Sequence, residues 1–298
     1  MSQPRRNTIS AIIPSRNRKQ YLLDLLDDLS VQTIHVHEVV VVDQSDIPYN
    51  LENCVYIRDD GTGPCRARNR GVAAATGEIL VFLDDDIRIA AELLEDLCGP
   101  IIRGEYSAVT GAVCDKTGQY PRAAPCFWRF EGKSWLQSLT GNPGHPGLGL
   151  CLGVSTGVCA IEARVLRLVG GFDVFFDPDG AAEDRELGLR LFHHGYSICY
   201  NGAARVRHLA ASHGGRRSSF AVASPLEANL LYVVGKYFGP NVFSSYCRSW
   251  LWEYPFRKVT LDPRSWMTAI RRYWWAREHI SRLRGALDEG CDRRPTVR

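Results

Sequence analysis

Three consecutive carboxylates, Asp84, Asp85 and Asp86, follow the apolar run Ile79-Leu80-Val81-Phe82-Leu83. A short continuous apolar run reads as a buried strand, so the acidic groups fall where that strand leaves its sheet. Strand side chains alternate between faces, and a continued extension would project Asp84 and Asp86 together and Asp85 away from them. Two hard oxygen ligands on one side of a crevice suit Mg²⁺ or Mn²⁺, and the natural ligand of such an ion is a diphosphate. The competing reading is a solvated acidic turn that caps a helix starting near Ala90. A second acidic pair, Glu183-Asp184, opens a helix, where negative charge suits the helix dipole. Asp184 also stands at i, i+3 and i+7 with Leu187 and Leu191 and shares their inward stripe, from which a carboxylate can reach a cleft. Asp43 ends another apolar run, Glu38 to Val42; alone it reads as a loop cap.

The elements that must position these groups follow from periodicity. Strands are expected at Ile9–Ile13 (closed by Pro14), Glu38–Val42 and Val55–Ile57, with helices over Lys19–Val31 and Pro64–Ala75. The helix at Lys19 carries the stripe Tyr21, Leu22, Leu25, Leu26 and Leu29. The Asp-tipped strand and a helix near Ala90–Arg103 follow. Further on come a strand at Val154–Ile161, a short helix to Val169, a helix from Glu183 to His194 and short strands at Ser197–Tyr200 and Ala204–His208. This order predicts an α/β fold with a mainly parallel sheet flanked by helices, and right-handed crossovers set Pro14, Asp43 and Asp86 along one rim. In open α/β sheets, ligands bind outside the carboxyl ends of the strands. The stretch Cys114–Leu152, rich in Gly and Pro with Trp128 and Trp135, reads as a functional loop or lid.

Bulk properties bound the rest. The 298-residue chain is 45% hydrophobic and 23% charged, ordinary for a globular protein, and a net charge of +3 is too small to make nucleic acid its main partner. No apolar stretch approaches the roughly 20 residues that span a bilayer, and no signal-peptide core is present, so a cytoplasmic location is expected. The ten cysteines include no Cys-x-x-Cys pair and read as reduced thiols. The expected division is an α/β domain over residues 1–220, with one half to about 113 and a second half from 114, then a helical appendage over 221–298.

Four segments in order, ISAIIPSRNR, EVVVVDQSD, GPCRARNRGVAAATGEILVFLDDD and VGGFDVFFDPDGAAEDRELGLRLFHHGYSICY, resemble family 2 glycosyltransferases of the Rossmann-like GT-A fold. The resemblance covers roughly residues 8 to 210. It implies transfer of a sugar from a nucleotide-diphospho-sugar to an acceptor hydroxyl, aided by Mn²⁺ or Mg²⁺. It implies that Asp86 ligates the metal directly, that Asp84 contacts ribose or shares the metal, and that His208 supplies a third ligand, with His213 a weaker alternative. It makes Asp184 the general base of an inverting reaction and Glu183 its hydrogen-bonding neighbour.

The same resemblance places the nucleotide along Pro14, Ser15, Arg16, Asp43 and Gln44, with Arg68 and Asn69 of the Ala-Arg-Asn match and Asp85 on the donor side. Arg66 shares the approach. Ser155, Thr156 and Gly157 fall where small residues let the donor sugar near the backbone. Two departures bear on the base: Arg16 stands where an aromatic is common and Gln44 where a second Asp often reads uracil. An Arg plane can stack on a base and a Gln amide can bond its edge, so UDP is the first choice, with dTDP and GDP behind it. A nucleotidyltransferase would want a glycine-rich phosphate loop after the first strand, and Pro14–Arg18 has no glycine. A non-catalytic nucleotide-sugar-binding subunit would not need Asp84, Asp86 and Asp184 together. Outside the resemblance, Trp250, Trp252, Tyr254, Phe256 and the basic-aromatic stretch Arg271–Arg277 suit packing onto the core or a homodimer partner, or peripheral contact with the inner face of a membrane.

Overall fold

The computed structural model describes residues 7–120, 146–178, 180–215 and 225–238. Two compact units divide the chain, Met1–Ser218 and Ser219–Arg298. The first carries β1 (Ile9–Ser15), α1 (Lys19–Ser30), β2 (Glu38–Asp43), β3 (Val55–Arg58), α2 (Pro64–Ala74), β4 (Ile79–Leu83), β5 (Ile87–Ile89) and α3 (Leu93–Ile102). It continues through β6 (Ala108–Cys114), β7 (Leu148–Cys151), β8 (Val158–Glu162), α4 (Ala163–Leu168), α5 (Glu183–His193) and β9 (Ile198–His208). The second unit contributes α6 (Pro225–Tyr237). Trp128, Trp135, Trp250, Trp252, Tyr254, Phe256 and Arg271–Arg277 lie outside the described residues.

The described strands form one sheet in the order β3-β2-β1-β4-β8-β6-β9-β5, with β7 also pairing with β9. The half built from β3, β2, β1 and β4 is parallel, as the alternation of strands and helices requires. The other half is mixed: β8 runs antiparallel to β4 and β6, β9 parallel to β6, and β5 and β7 antiparallel to β9. Both faces are covered. Ile9, Ala11 and Ile13 share one core with Leu22, Leu25 and Leu29 of α1 and Leu93, Leu94 and Leu97 of α3. On the opposite face, α2 lies against β1 and β2. All five residues of β4 are buried, which is why its sequence shows no alternation.

Several expectations needed correction. Pro14 does not end β1, which runs on to Ser15. The carbonyls of Ile9 and Ser15 both accept from the β2 side, so Pro14 faces β4, and that ladder has already stopped at Ile12 and Phe82. A missing N–H costs nothing there. The strand expected from Val154 begins only at Val158, because residues 155–157 form a turn. The two short strands at the end are one strand, β9, and an irregularity absorbs the turn-like Asn201-Gly202 where the register against β6 slips between Thr110 and Ala112. The helix expected from near Ala90 begins at Leu93, and the short strand β5 before it, which the sequence reading did not include, pairs Ile87 with His208.

Phe82, at 0% exposure, meets the ring of Phe172 edge-on with centroids 5.0 Å apart. That contact ties the central strand to the loop before α5. Truncating Phe82 to Ala is expected to destabilise the first unit by about 3–5 kcal/mol, and Phe82→Leu by much less. Urea midpoints of the two variants measure the difference.

Candidate active site

The strand extension stops at Leu83, and Asp84–Asp86 form a turn. The alternation expected of a continuing strand therefore fails: Asp85 and Asp86, rather than Asp84 and Asp86, share a partner. That partner is Arg18, whose Nη1 lies 2.9 Å from Asp85 Oδ1 and 3.3 Å from Asp86 Oδ2. Asp85 is also bonded by Ser15 Oγ at 2.7 Å. Burial pushes the Asp85 carboxyl up to about 6 against the pull of Arg18 and Ser15.

Asp86 is 1% exposed. Its Oδ2 accepts the Ala211 N–H at 3.0 Å, and its backbone carbonyl accepts from Leu209. His208 Nε2 stands 3.2 Å from Oδ1, within ion-pair reach, yet Oδ1 accepts no well-formed hydrogen bond among the described residues. Burial alone would raise this carboxyl; His208, Arg18 and the Ala211 N–H together hold it down at about 2. Pairing of β5 with β9 is what sets His208 beside this turn. His213, the weaker alternative, is exposed, with its ring 6.0 Å from that of Tyr21.

Asp84 faces the other way. Arg68 Nη2 donates to its Oδ1 at 3.2 Å, and its N–H bonds the Gly157 carbonyl. A Cβ on Gly157 would sit 2.5 Å from Asp84 Oδ2, so only glycine admits the carboxylate here. Arg68 is 3% exposed and bridges to Glu183 Oε1 at 3.3 Å. The same oxygen accepts Thr156 Oγ1 at 3.2 Å. Burial would lower the Arg68 pKa, but Asp84 and Glu183 raise it. Asp184, one residue on, is half-buried in the first turn of α5, and its Oδ1 accepts the Arg185 N–H. Burial pushes the nearby Cys159 thiol up, and the charges of Asp84 and Asp184 add to the rise.

The residues expected to hold the nucleotide divide in two. Pro14 and Arg16 lie at the rim, half-exposed, and the Arg16 side chain makes no hydrogen bond or ion pair among the described residues. Asp43 is fully buried and engaged by Ser45 N–H, Tyr49 N–H and the Tyr56 hydroxyl, so it organises the loop after β2. The Gln44 amide donates to Asp59 and the Gly63 carbonyl and accepts from the Gly63 N–H. Arg66 pairs with the same Asp59 at 3.2 Å. Asn69 exchanges two 2.8 Å bonds with the backbone of Phe172, which makes it a clamp on that loop. Ser155 N–H bonds Thr110 Oγ1. Two participants escaped the sequence reading: Arg18, visible only as a second cation in Ser15-Arg16-Asn17-Arg18, and Asp177. The Asp177 carboxylate accepts the Cys65 and Arg66 N–H groups at 3.0 and 2.9 Å, capping α2 from over a hundred residues away.

The chemistry of Asp86 and His208 fits a divalent ion: a buried carboxylate oxygen with no well-formed hydrogen bond among the described residues lies beside an imidazole nitrogen. Among the described residues no three His, Cys, Asp or Glu side chains form a ready cage. Substrate oxygens would complete the shell, the usual arrangement for Mg²⁺ at phosphate sites.

Residues 10–147 match the model of glycosyl transferase family 2. The chain is 27% identical over 256 residues to a pre-mycofactocin glycosyltransferase of Mycobacterium tuberculosis, covering 78% of this chain and 52% of that protein. It is 28% identical over 234 residues to the O-antigen biosynthesis protein RfbC of Myxococcus xanthus, covering 67% of this chain and 17% of that protein. The chain thus spans about half the length, or less, of these curated relatives. Its fold is that of S. aureus TarS 1-349 in complex with UDP-GlcNAc (TM-score 0.62, 18% identity, 93% of this chain and 83% of that one). It is also that of GalNAc-T7 with UDP, GalNAc and Mn²⁺ (TM-score 0.61, 17% identity, 92% of this chain and 57% of that one). These neighbours have the GT-A fold, which is therefore the fold of this chain.

Replacing Arg68 by Met leaves Glu183 buried without its cation, and is expected to cost about 3–5 kcal/mol. Adding Glu183→Gln should restore part of that loss, read as a coupling in a double-mutant cycle of unfolding free energies.

Proposed function

Because residues 10–147 match the model of glycosyl transferase family 2, we propose that this chain moves a sugar from a nucleotide-diphospho-sugar to an acceptor hydroxyl, in a metal-dependent reaction that inverts the anomeric carbon. The observation that carries the reading is the buried Asp86 Oδ1 atom, which accepts no well-formed hydrogen bond among the described residues and lies 3.2 Å from His208 Nε2, on the rim where β1, β2 and β4 end. Asp86 and His208 would hold Mn²⁺ or Mg²⁺, while Asp84 is turned toward Arg68. Bound there, the ion would offset negative charge developing on the departing nucleoside diphosphate.

Asp184 takes the proton of the acceptor hydroxyl as its oxygen attacks, a contribution of about 10²–10⁴-fold. Its neighbour Glu183 accepts from Arg68 and Thr156, which supports a holding role for Glu183 beside the half-buried Asp184. Attack opposite the leaving nucleotide inverts the sugar. The nucleoside lies along Pro14, Ser15, Arg16 and Gln44, with Asp43 shaping their loop. The UDP in the TarS and GalNAc-T7 structures supports a UDP-sugar, and the Mn²⁺ of the latter supports a divalent ion. The named relatives support a role in building a glycan or glycoconjugate.

A thermal-shift panel of UDP, dTDP, GDP and CDP, with Mn²⁺ or with EDTA, tests this reading, since a ligand of the native state raises the melting temperature. UDP with Mn²⁺ is expected to give the largest shift, which EDTA and Asp86→Ala abolish. Asp184→Asn is expected to keep that shift while kcat falls at least about 100-fold. A folded protein whose melting temperature no nucleotide moves, with or without Mn²⁺, would overturn the proposal.

A further inference from the structure

Arg18 sits at the start of α1 and is 9% exposed. Beyond its contacts to Asp85 and Asp86, its Nε donates to the His213 carbonyl at 3.0 Å, and its own N–H donates to the Tyr49 hydroxyl at 2.6 Å. One planar side chain therefore joins the loop after β1, the acidic turn after β4 and the segment that follows β9. That last segment returns further bonds to the other two. Leu209 and Ala211 donate to the Asp86 carbonyl and Oδ2, and Gly215 N–H donates to the Arg16 carbonyl at 3.0 Å. Gly215 has φ +56°, and a Cβ there would lie 2.6 Å from Arg18 Nη2, so the segment rests directly on the guanidinium. With Oδ2 occupied by Arg18 and Ala211, the remaining Asp86 oxygen, Oδ1, is the one presented to His208.

We infer that Arg18 is a positioning residue for the metal site: it fixes the Asp86 carboxylate and the segment that follows His208, so that both ligating atoms stay together before a cation arrives. The inference rests on the reading of Asp86 and His208 as metal ligands. The task suits arginine in particular. A guanidinium presents several donors in a rigid fork that can meet two carboxylates and a carbonyl at once, whereas a lysine ammonium is a point charge on a flexible stem. Residues that orient a metal ligand from outside the coordination shell typically change metal affinity about 10–100-fold when removed.

The test measures Mn²⁺ binding to the full chain, by the electron paramagnetic resonance signal of free Mn²⁺, with UDP saturating. UDP affinity in EDTA is measured separately. In Arg18→Met the Kd for Mn²⁺ is expected to rise about tenfold or more, while the Kd for UDP in EDTA changes less than about twofold. Arg18→Lys should recover only part of the loss. Gly215→Ala, which leaves Arg18 in place but displaces the segment resting on it, should weaken Mn²⁺ in the same direction, and it decides the matter if Arg18→Met does not fold. Wild-type affinity for Mn²⁺ in the folded variants, or equal loss of Mn²⁺ and metal-free UDP binding, overturns the inference alone. A wild-type chain that takes up no Mn²⁺ in the presence of UDP overturns the metal-site reading and the inference with it.

Discussion

A strand buried on both faces ends in three carboxylates, and the protein must neutralise them from within. That constraint organises the first unit. β4 is central and wholly apolar, so Asp84, Asp85 and Asp86 emerge at the edge of a low-dielectric core, where adjacent negative charges repel strongly. Two buried arginines answer them from opposite sides. Arg18 reaches Asp85 and Asp86 from the loop after β1, and Arg68 reaches Asp84 from α2. Neither arginine is spare surface charge: each has a second set of acceptors that draws another segment to the rim, the His213 carbonyl for Arg18 and Glu183 for Arg68.

The acidic turn thus acts as a junction. Through Arg68 the start of α5, with Asp184, is tied to the end of β4. Around that link, Asn69 grips the backbone of Phe172, Phe172 packs on Phe82, and Asp177 caps α2. Every one of these contacts joins the half that ends in β4 to the half that carries α5.

The same economy explains why some polar residues near the rim do not face the cleft. Asp43 spends its oxygens on the loop after β2, and Gln44 joins Asp59 and Gly63. These bonds fix the loop after β2 and join it to the turn before α2. By contrast, Asp86 keeps one buried oxygen, Oδ1, for which the described residues supply no well-formed hydrogen bond, though His208 Nε2 stands 3.2 Å away.

Much was legible in the sequence because it depends on local pattern. The run Ile79–Leu83, the stripe Leu22, Leu25 and Leu29, and the acidic starts and glycine stop of α5 each reveal an element within a few residues of chain. The carboxylates at the ends of β2 and β4 mark the rim for the same reason. The antiparallel pairing of β8, the brief β5 and the continuity of β9 through Asn201-Gly202 were not legible, since each depends on a partner strand far along the chain. Nor was Arg18, whose partners lie 67 and 195 residues away. The sequence by itself determined which residues are acidic, apolar or basic and which short segments become strands and helices, because those follow from side-chain chemistry and periodicity. Only the tertiary structure decided which carboxylate meets which cation, because a buried charge takes whatever partner the packing of distant segments brings within about 3 Å.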